Sequence, residues 1–234
     1  MKKIVALGGG AYAAGEIQNI FEYIVSLSGK ENPSVLFIPT AGFDDINGDE
    51  VIQSGFEKCG CSFDILFLTK EKRTVEDIGS AILGADIIYV GGGNVEFMMK
   101  TWRETGADKY LIEAYNQGKV MSGYSAGADC WFSESYDDCA PGGEFMFCDG
   151  LGIFPYSACP HYESGHWQTF KEAIKTRSIP GIAMEDGAAF ICLDGKFSTM
   201  HGNDGGSVYL LKDGEEINLS EMQDCNELLK APLI

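Results

Sequence analysis

Val120-Met121-Ser122-Gly123-Tyr124-Ser125-Ala126-Gly127-Ala128 is the stretch on which the reading of this chain turns. An apolar strand over Val120–Tyr124 runs into a bend crowded with glycine and alanine, and a helix is expected to start beyond Ser125. Only small residues fit so tight a strand-to-helix turn, because a larger side chain would strike the neighbouring backbone. The turn lifts the Ser125 hydroxyl clear of the sheet and directs the first helical N–H groups at whatever binds beside it. That disposition suits a nucleophile that attacks a carbonyl. The bare pattern G-x-S-x-G also occurs as a plain turn, so the remaining chemistry has to be found elsewhere in the chain.

Working outward, strand-like and helix-like segments alternate. Lys3–Gly8 reads as a strand that ends in Gly8-Gly9-Gly10, and Ala14–Ser28 has helical spacing, with Ile17, Ile20, Phe21, Ile24 and Val25 on one face. Ser34–Pro39, Phe63–Leu68 and Ala85–Val90 read as further strands. Asp49–Cys59, Val75–Leu83, Val95–Glu104 and Asp108–Asn116 read as helices. This rhythm predicts an α/β fold, a mostly parallel sheet with helices on both faces. Beyond about Gly150, short strands are expected at Gly181–Met184, Ala188–Leu193, Lys196–Met200 and Ser207–Leu211. Asp194-Gly195 is a hairpin signal, so the sheet gains antiparallel strands near its end. With no linker or repeat, residues 1–234 are expected to form one domain.

The formal net charge of -18 argues against nucleic acid and against an anionic membrane surface as partners. The N-terminal apolar run is too short for a signal peptide, and no segment approaches the ~20 apolar residues of a membrane span. A cytoplasmic protein is expected, and charge does not choose between monomer and homodimer. Eight cysteines at irregular spacing point to reduced thiols, and Cys59-Gly60-Cys61 lacks the gap of a zinc knuckle. Gly8, Gly10 and Ala13 fit only a loose dinucleotide fingerprint with no clear ribose-binding acid, so nucleotide binding is not expected.

A serine nucleophile needs a base, a group that orients the base, and donors for the oxyanion. Three histidines are available: His161, His166 and His201. His161 is favoured because it follows a stretch that can form a strand (Gly152–Tyr156), and loops at strand ends gather catalytic groups in open α/β sheets. For the orienting acid, Glu185, Asp137, Asp138 and Glu144 all stand open. The N–H of Ala126 follows the nucleophile and is one expected donor. The other comes from Gly91-Gly92-Gly93, where glycine permits close backbone approach.

Val90-Gly91-Gly92-Gly93-Asn94, Gly123-Tyr124-Ser125-Ala126-Gly127-Ala128, Cys159-Pro160-His161-Tyr162 and Met184-Glu185-Asp186-Gly187 resemble, in order and in combination, the motifs of peptidase family S51. That family includes dipeptidase E and cyanophycinase, and the likeness runs from the first strand to about Leu210. The resemblance implies a fold akin to class I glutamine amidotransferases and a serine peptidase of short peptides, dipeptides first among them, needing no metal or organic cofactor. It implies Ser125 as nucleophile, His161 as base, Glu185 as orienting acid, and Gly93 and Ala126 as oxyanion donors, with Gly92, Asn94 and Tyr124 beside the substrate. The family has also been read with an acid between serine and histidine, which keeps Asp137, Asp138 and Glu144 in view. A β-aspartyl peptidase like cyanophycinase and an idle binding homologue are the alternative readings. Dipeptidase E looks to carry a basic residue after its histidine that can hold an aspartyl carboxylate. The corresponding stretch here, Gly165–Lys171, has no arginine, which leaves Lys171 or Arg177 as substitutes.

Overall fold

The computed structural model describes residues 1–10, 15–203 and 205–229. Five strands follow the expected first half: β1 (Lys3–Leu7), β2 (Ser34–Ile38), β3 (Ser62–Ile65), β4 (Ile87–Val90) and β5 (Val120–Tyr124). All pair in parallel, in the order β1-β5-β4-β2-β3. Their connections are helical: α1 (Gln18–Leu27), α2 (Glu50–Lys58), α3 (Val75–Gly84), α4 (Val95–Thr105) and α5 (Ala107–Asn116). α3 starts at a capping box in which the Thr74 hydroxyl accepts from the Asp77 N–H and the Asp77 carboxylate accepts from the Thr74 N–H. α4 starts at Asn94, whose Oδ1 accepts from the Phe97 N–H at 2.7 Å. A short helix, α6 (Ala126–Asp129), follows β5 directly.

Side-chain alternation along β1 divides the interior. Ile4 and Ala6 join a cluster that spans Val90, Met121, Trp102 of α4 and Trp131. Val5 and Leu7 join another with Phe37, Tyr89, Phe21 of α1 and Phe56 of α2. Each fully buried side chain of this size contributes about 1.5–3 kcal/mol. Both faces of the parallel strands are therefore covered, as the near-continuous apolar runs in β1, β2 and β4 require.

The second half departs from a single sheet. β10 (Ala188–Leu193) and β11 (Lys196–His201) form the expected hairpin around Asp194-Gly195, both at positive φ, and extend the first sheet beside β1. A second sheet holds β6 (Phe132–Asp137), β7 (Met146–Asp149), β8 (Phe154–Cys159), β9 (Gly181–Met184), β12 (Val208–Lys212) and β13 (Glu215–Asn218), in the order β13-β12-β9-β8-β6-β7. The short helix α7 (Phe170–Ala173) packs its Phe170 against that sheet. β6, β8 and β9 run parallel to one another. β6, β7 and β13 have no counterpart among the sequence expectations. Polar residues mask them: Glu134 of β6 is buried only because Arg177 meets its carboxylate with Nε (2.8 Å) and Nη2. The first sheet's cluster continues through Phe132, Phe154, Ile182 and Val208, so the two sheets share apolar contacts.

Boundaries shift by a few residues. β3 stops at Ile65 instead of Leu68, and β8 begins at Phe154 and runs on to Cys159. Ala14, the expected start of the first helix, and Ala13 lie outside the described residues. No helix among the described residues is long and apolar enough to cross a membrane.

Candidate active site

Loops that leave the C-terminal ends of parallel strands build one site. The nucleophile, base, acid and their seat follow β5, β8, β9 and β1, and the loops after β4 and β6 complete the cleft, so both sheets contribute. Ser125 occupies the bend between β5 and α6 at φ 53° and ψ -124°, a conformation rare for a side-chain-bearing residue. Its N–H is held by the Leu7 carbonyl (3.0 Å), and its carbonyl accepts from Ala128 and Asp129 in the first turn of α6. Its Oγ lies 3.0 Å from His161 Nε2. His161 Nδ1 in turn lies 2.6 Å from Asp186 Oδ1. A carboxylate on Nδ1 keeps the proton there and leaves Nε2 as acceptor for the serine O–H.

Asp186, not Glu185, is therefore the acid that meets the imidazole. Glu185 turns the other way: its Oε2 accepts from the Ser207 N–H (2.8 Å) and its Oε1 from the Tyr209 hydroxyl (3.1 Å). The two side chains leave the end of β9 in opposite directions, and β12 lies on the side that Glu185 takes. The His161 hydrogen bond holds the Asp186 carboxyl below its ordinary range. Glu163 fixes the Asp186 backbone, with Oε2 accepting its N–H at 2.9 Å. Asp137 and Asp138 line the same cleft without bonding His161, and Glu144 is exposed in the β6–β7 loop. His166 is exposed, and His201 bonds the Gly202 carbonyl from β11. Neither meets Ser125.

The glycine run after β1 is a seat for this pair. The Gly8 carbonyl accepts from the His161 N–H (3.3 Å), and the Gly9 carbonyl from the Gly187 N–H (3.0 Å). A Cβ on Gly9 would collide with Asp186 Oδ1 and lie 2.5 Å from His161 Cε1. The space that a dinucleotide fingerprint would leave for a ligand is thus filled by the protein's own loops. His161 itself sits at φ 51°, a second strained residue at the site.

Of the expected donors, Gly93 lines the cleft with Ser125, and Ala126 opens α6 directly after the nucleophile. Gly93, at φ +133°, passes so close to the Ala41 carbonyl that no Cβ would fit. Among the described residues neither its N–H nor that of Ala126 has an acceptor. Gly92 runs under the Tyr124 ring and 3.3 Å from the Ser125 Cβ by its own virtual Cβ, outside the cleft wall. Tyr124 also leaves the cleft. Its hydroxyl faces Asp49 Oδ1 at 3.4 Å, and burial pushes its pKa up to about 12. Asn94 does line the cleft, but its amide is engaged: Oδ1 caps α4, and Nδ2 donates to the Cys139 carbonyl at 3.3 Å.

The cleft has a volume of about 550 Å³, within the range of small-ligand sites. The Trp167 indole forms one wall, its ring centre 5.3 Å from that of His161. Lys171 and Arg177 are elsewhere, paired with Glu216 and Glu134 and facing a separate cavity between α7 and β12. They do not reach the cleft. Cys139 lies at its rim, with Sγ 2.9 Å from Cys148 Sγ. The hydrogen bond between the two sulfurs pulls the Cys139 pKa down to about 6, while Cys148 is pushed up. Sequence reasoning missed Cys139, Glu163 and Trp167; no motif marks them. Among the described residues no group of three or more His, Cys, Asp and Glu side chains could hold a metal ion.

Residues 4–200 match the profile of peptidase family S51. The chain is 35% identical over 215 residues to the uncharacterized peptidase YgaJ of Bacillus subtilis strain 168, covering 89% of this chain and 91% of that protein. It is 28% identical over 195 residues to peptidase E of Escherichia coli O6:K15:H31, covering 78% and 82%. In fold it is similar to a crystallised peptidase from an acI-B1 Actinobacterium, with a TM-score of 0.72 over 94% of each chain at 18% identity.

Proposed function

The chain belongs to peptidase family S51 and is a serine-type peptidase, and on that premise we propose that it hydrolyses short peptides through Ser125, His161 and Asp186. The observation that carries this reading is the continuous relay from the Ser125 hydroxyl through both imidazole nitrogens to a carboxylate, at 3.0 and 2.6 Å. Ser125 Oγ attacks the scissile carbonyl carbon as His161 Nε2 takes its proton. The imidazolium so formed is stabilised by Asp186, which stays ionised. The carbonyl oxygen becomes an oxyanion against the N–H groups of Gly93 and Ala126, where removal of one donor typically costs ~3 kcal/mol of barrier. Collapse of the tetrahedral species breaks the C–N bond, and His161 returns the proton to the leaving amine. A water activated by the same imidazole then frees Ser125 from its acyl ester. The cleft volume supports a short peptide as the substrate, a dipeptide among them.

Ser125→Ala tests the assignment. Peptide hydrolysis is expected to vanish and labelling by a fluorophosphonate probe to vanish with it, while the circular dichroism spectrum is kept. Hydrolysis that survived this change would end the reading.

A further inference from the structure

Cys139 and Cys148 are both free thiols, and their sulfurs lie 2.9 Å apart although the residues stand nine positions apart in the chain. The turn between β6 and β7 brings them together. Cys148 lies on β7 opposite Ser135 of β6, and Cys139 stands two residues past the end of β6. A disulfide is about 2.05 Å long, so joining the two sulfurs asks for a movement of about 1 Å. Their access differs. Cys139 is half-buried and lines the cleft that holds Ser125 and His161, whereas Cys148 is buried behind it. The bond with Cys148 draws the Cys139 thiol down, against burial. The Glu96 N–H in the first turn of α4 and the Asp137 side chain lower it further, and the Glu96 carboxylate opposes them. The six remaining cysteines behave otherwise, since burial pushes the thiol of each one up. The thiolate is the form that attacks an oxidant, and an accessible, lowered thiol beside a second thiol is the arrangement of a reversible oxidation site.

We propose that Cys139 and Cys148 form an oxidation site in the cleft wall, where a hydroperoxide converts the two thiols into a reversible disulfide, Cys139 attacking and Cys148 resolving. The Cys139 thiolate attacks a peroxide oxygen. An S–O bond forms, the O–O bond breaks, and the leaving oxygen takes up a proton to become an alcohol or, from hydrogen peroxide, water. The Cys148 thiol then attacks the sulfenic sulfur. The S–S bond forms, the S–O bond breaks, and hydroxide leaves with the Cys148 proton as water. The sulfurs are oxidised by two electrons, and the peroxide is reduced by the same two. Resolution by the neighbouring thiol stops Cys139 short of sulfinic acid, which thiols do not reverse. The bond is made beside the catalytic groups: the Cys139 carbonyl accepts from Asn94 Nδ2 at 3.3 Å, next to Gly93 in the cleft wall. This inference goes beyond the peptidase reading and does not depend on it.

The test uses the full chain, reduced, freed of reductant and treated with hydrogen peroxide. Remaining thiols are alkylated after denaturation, and a non-reducing peptide map by mass spectrometry locates the state of each cysteine. The expected product is a peptide pair joining Cys139 to Cys148, lighter by two hydrogens, formed before any other cysteine reacts and returned to two thiols by dithiothreitol. Three variants sharpen the result, each checked for its fold by circular dichroism. Cys148→Ser should hold a sulfenic acid at Cys139 that dimedone traps. Cys139→Ser should consume peroxide at least about tenfold more slowly. Cys59 is the other half-buried cysteine, so Cys59→Ser controls for exposure alone and should react as the wild type does. Peroxide that leaves Cys139 and Cys148 as thiols, that oxidises Cys59 first, or that takes wild-type Cys139 to sulfinic acid without a cross-link would overturn the proposal. So would an unchanged rate in a folded Cys139→Ser. The wild-type map decides the matter even where a variant fails to fold. No step reads peptide hydrolysis, so the outcome is separate from the fate of the peptidase reading.

Discussion

Exchange of Asp186 for asparagine, set against exchange of its neighbour Glu185 for glutamine, separates two adjacent acids by function. Asp186→Asn removes the charge that stabilises the imidazolium. Two unit charges about 4 Å apart interact by about 4 kcal/mol at an effective dielectric of 20 and about 1 kcal/mol in water. Asp186 is 46% exposed, so solvent screening places the loss between those limits, at about 2 kcal/mol or roughly 30-fold in rate. A second effect adds to it. The new amide can donate to Nδ1, which moves the imidazole proton to Nε2 and leaves Ser125 without an acceptor; such a tautomer change can take the total to about 10⁴-fold. The expected fall in kcat/KM is therefore between roughly 10² and 10⁴. Glu185→Gln keeps both of its hydrogen bonds as an amide oxygen at best partly, at a cost of about 1 kcal/mol in stability, and should leave kcat/KM within about threefold. The assay is peptide hydrolysis beside the pseudo-first-order rate of fluorophosphonate labelling, with thermal unfolding of each variant as control. Full activity in Asp186→Asn together with an inactive, folded Glu185→Gln would refute the reasoning.

Gly9→Ala should displace the His161–Asp186 pair, since the new methyl collides with Asp186 Oδ1; kcat is expected to fall at least about 10²-fold with KM little changed, as steady-state kinetics would record. The hydrogen bond with Cys148 draws the Cys139 pKa down to about 6, so its alkylation by iodoacetamide should rise through pH 6 and level off above it. Cys61 and Cys192, pushed to about 11 by burial, should stay unlabelled in the folded protein, which peptide mapping by mass spectrometry can check. Arg177→Met strands the Glu134 carboxylate, which is 6% exposed; allowing for the half-exposed arginine, a destabilisation of about 2 kcal/mol is expected in urea unfolding, with recovery in the double variant Arg177→Met/Glu134→Leu.

Much of the site was legible because its groups are marked by backbone demands. Ser125 sits in a bend that only small neighbours allow, Gly93 at a φ and a proximity that only glycine tolerates, and His161 just past a strand end. Asp186, Glu163, Trp167 and Cys139 carry no such mark: each is an ordinary residue in a loop, and its role comes from what strands distant in the chain bring to it. The tyrosine beside Ser125 misled for the opposite reason. Its neighbour in sequence is the nucleophile, but alternation along β5 turns its side chain to the far face, where Tyr89 and Asp49 wait.

The amino-acid sequence by itself determined the parallel half of the fold, the serine bend and the order of the motifs, because these depend on side-chain period, on glycine and on contacts close in the chain. Which acid faces the imidazole, what the glycines after β1 are for and how strand segments rich in polar residues become a second buried sheet were decided only in the tertiary structure. Adjacent residues at a strand end point opposite ways, so the pairing of β9 with β12, far apart in the chain, selects Asp186 over Glu185. Likewise Glu134 is a buried strand residue only once Arg177, 43 positions away, closes on it.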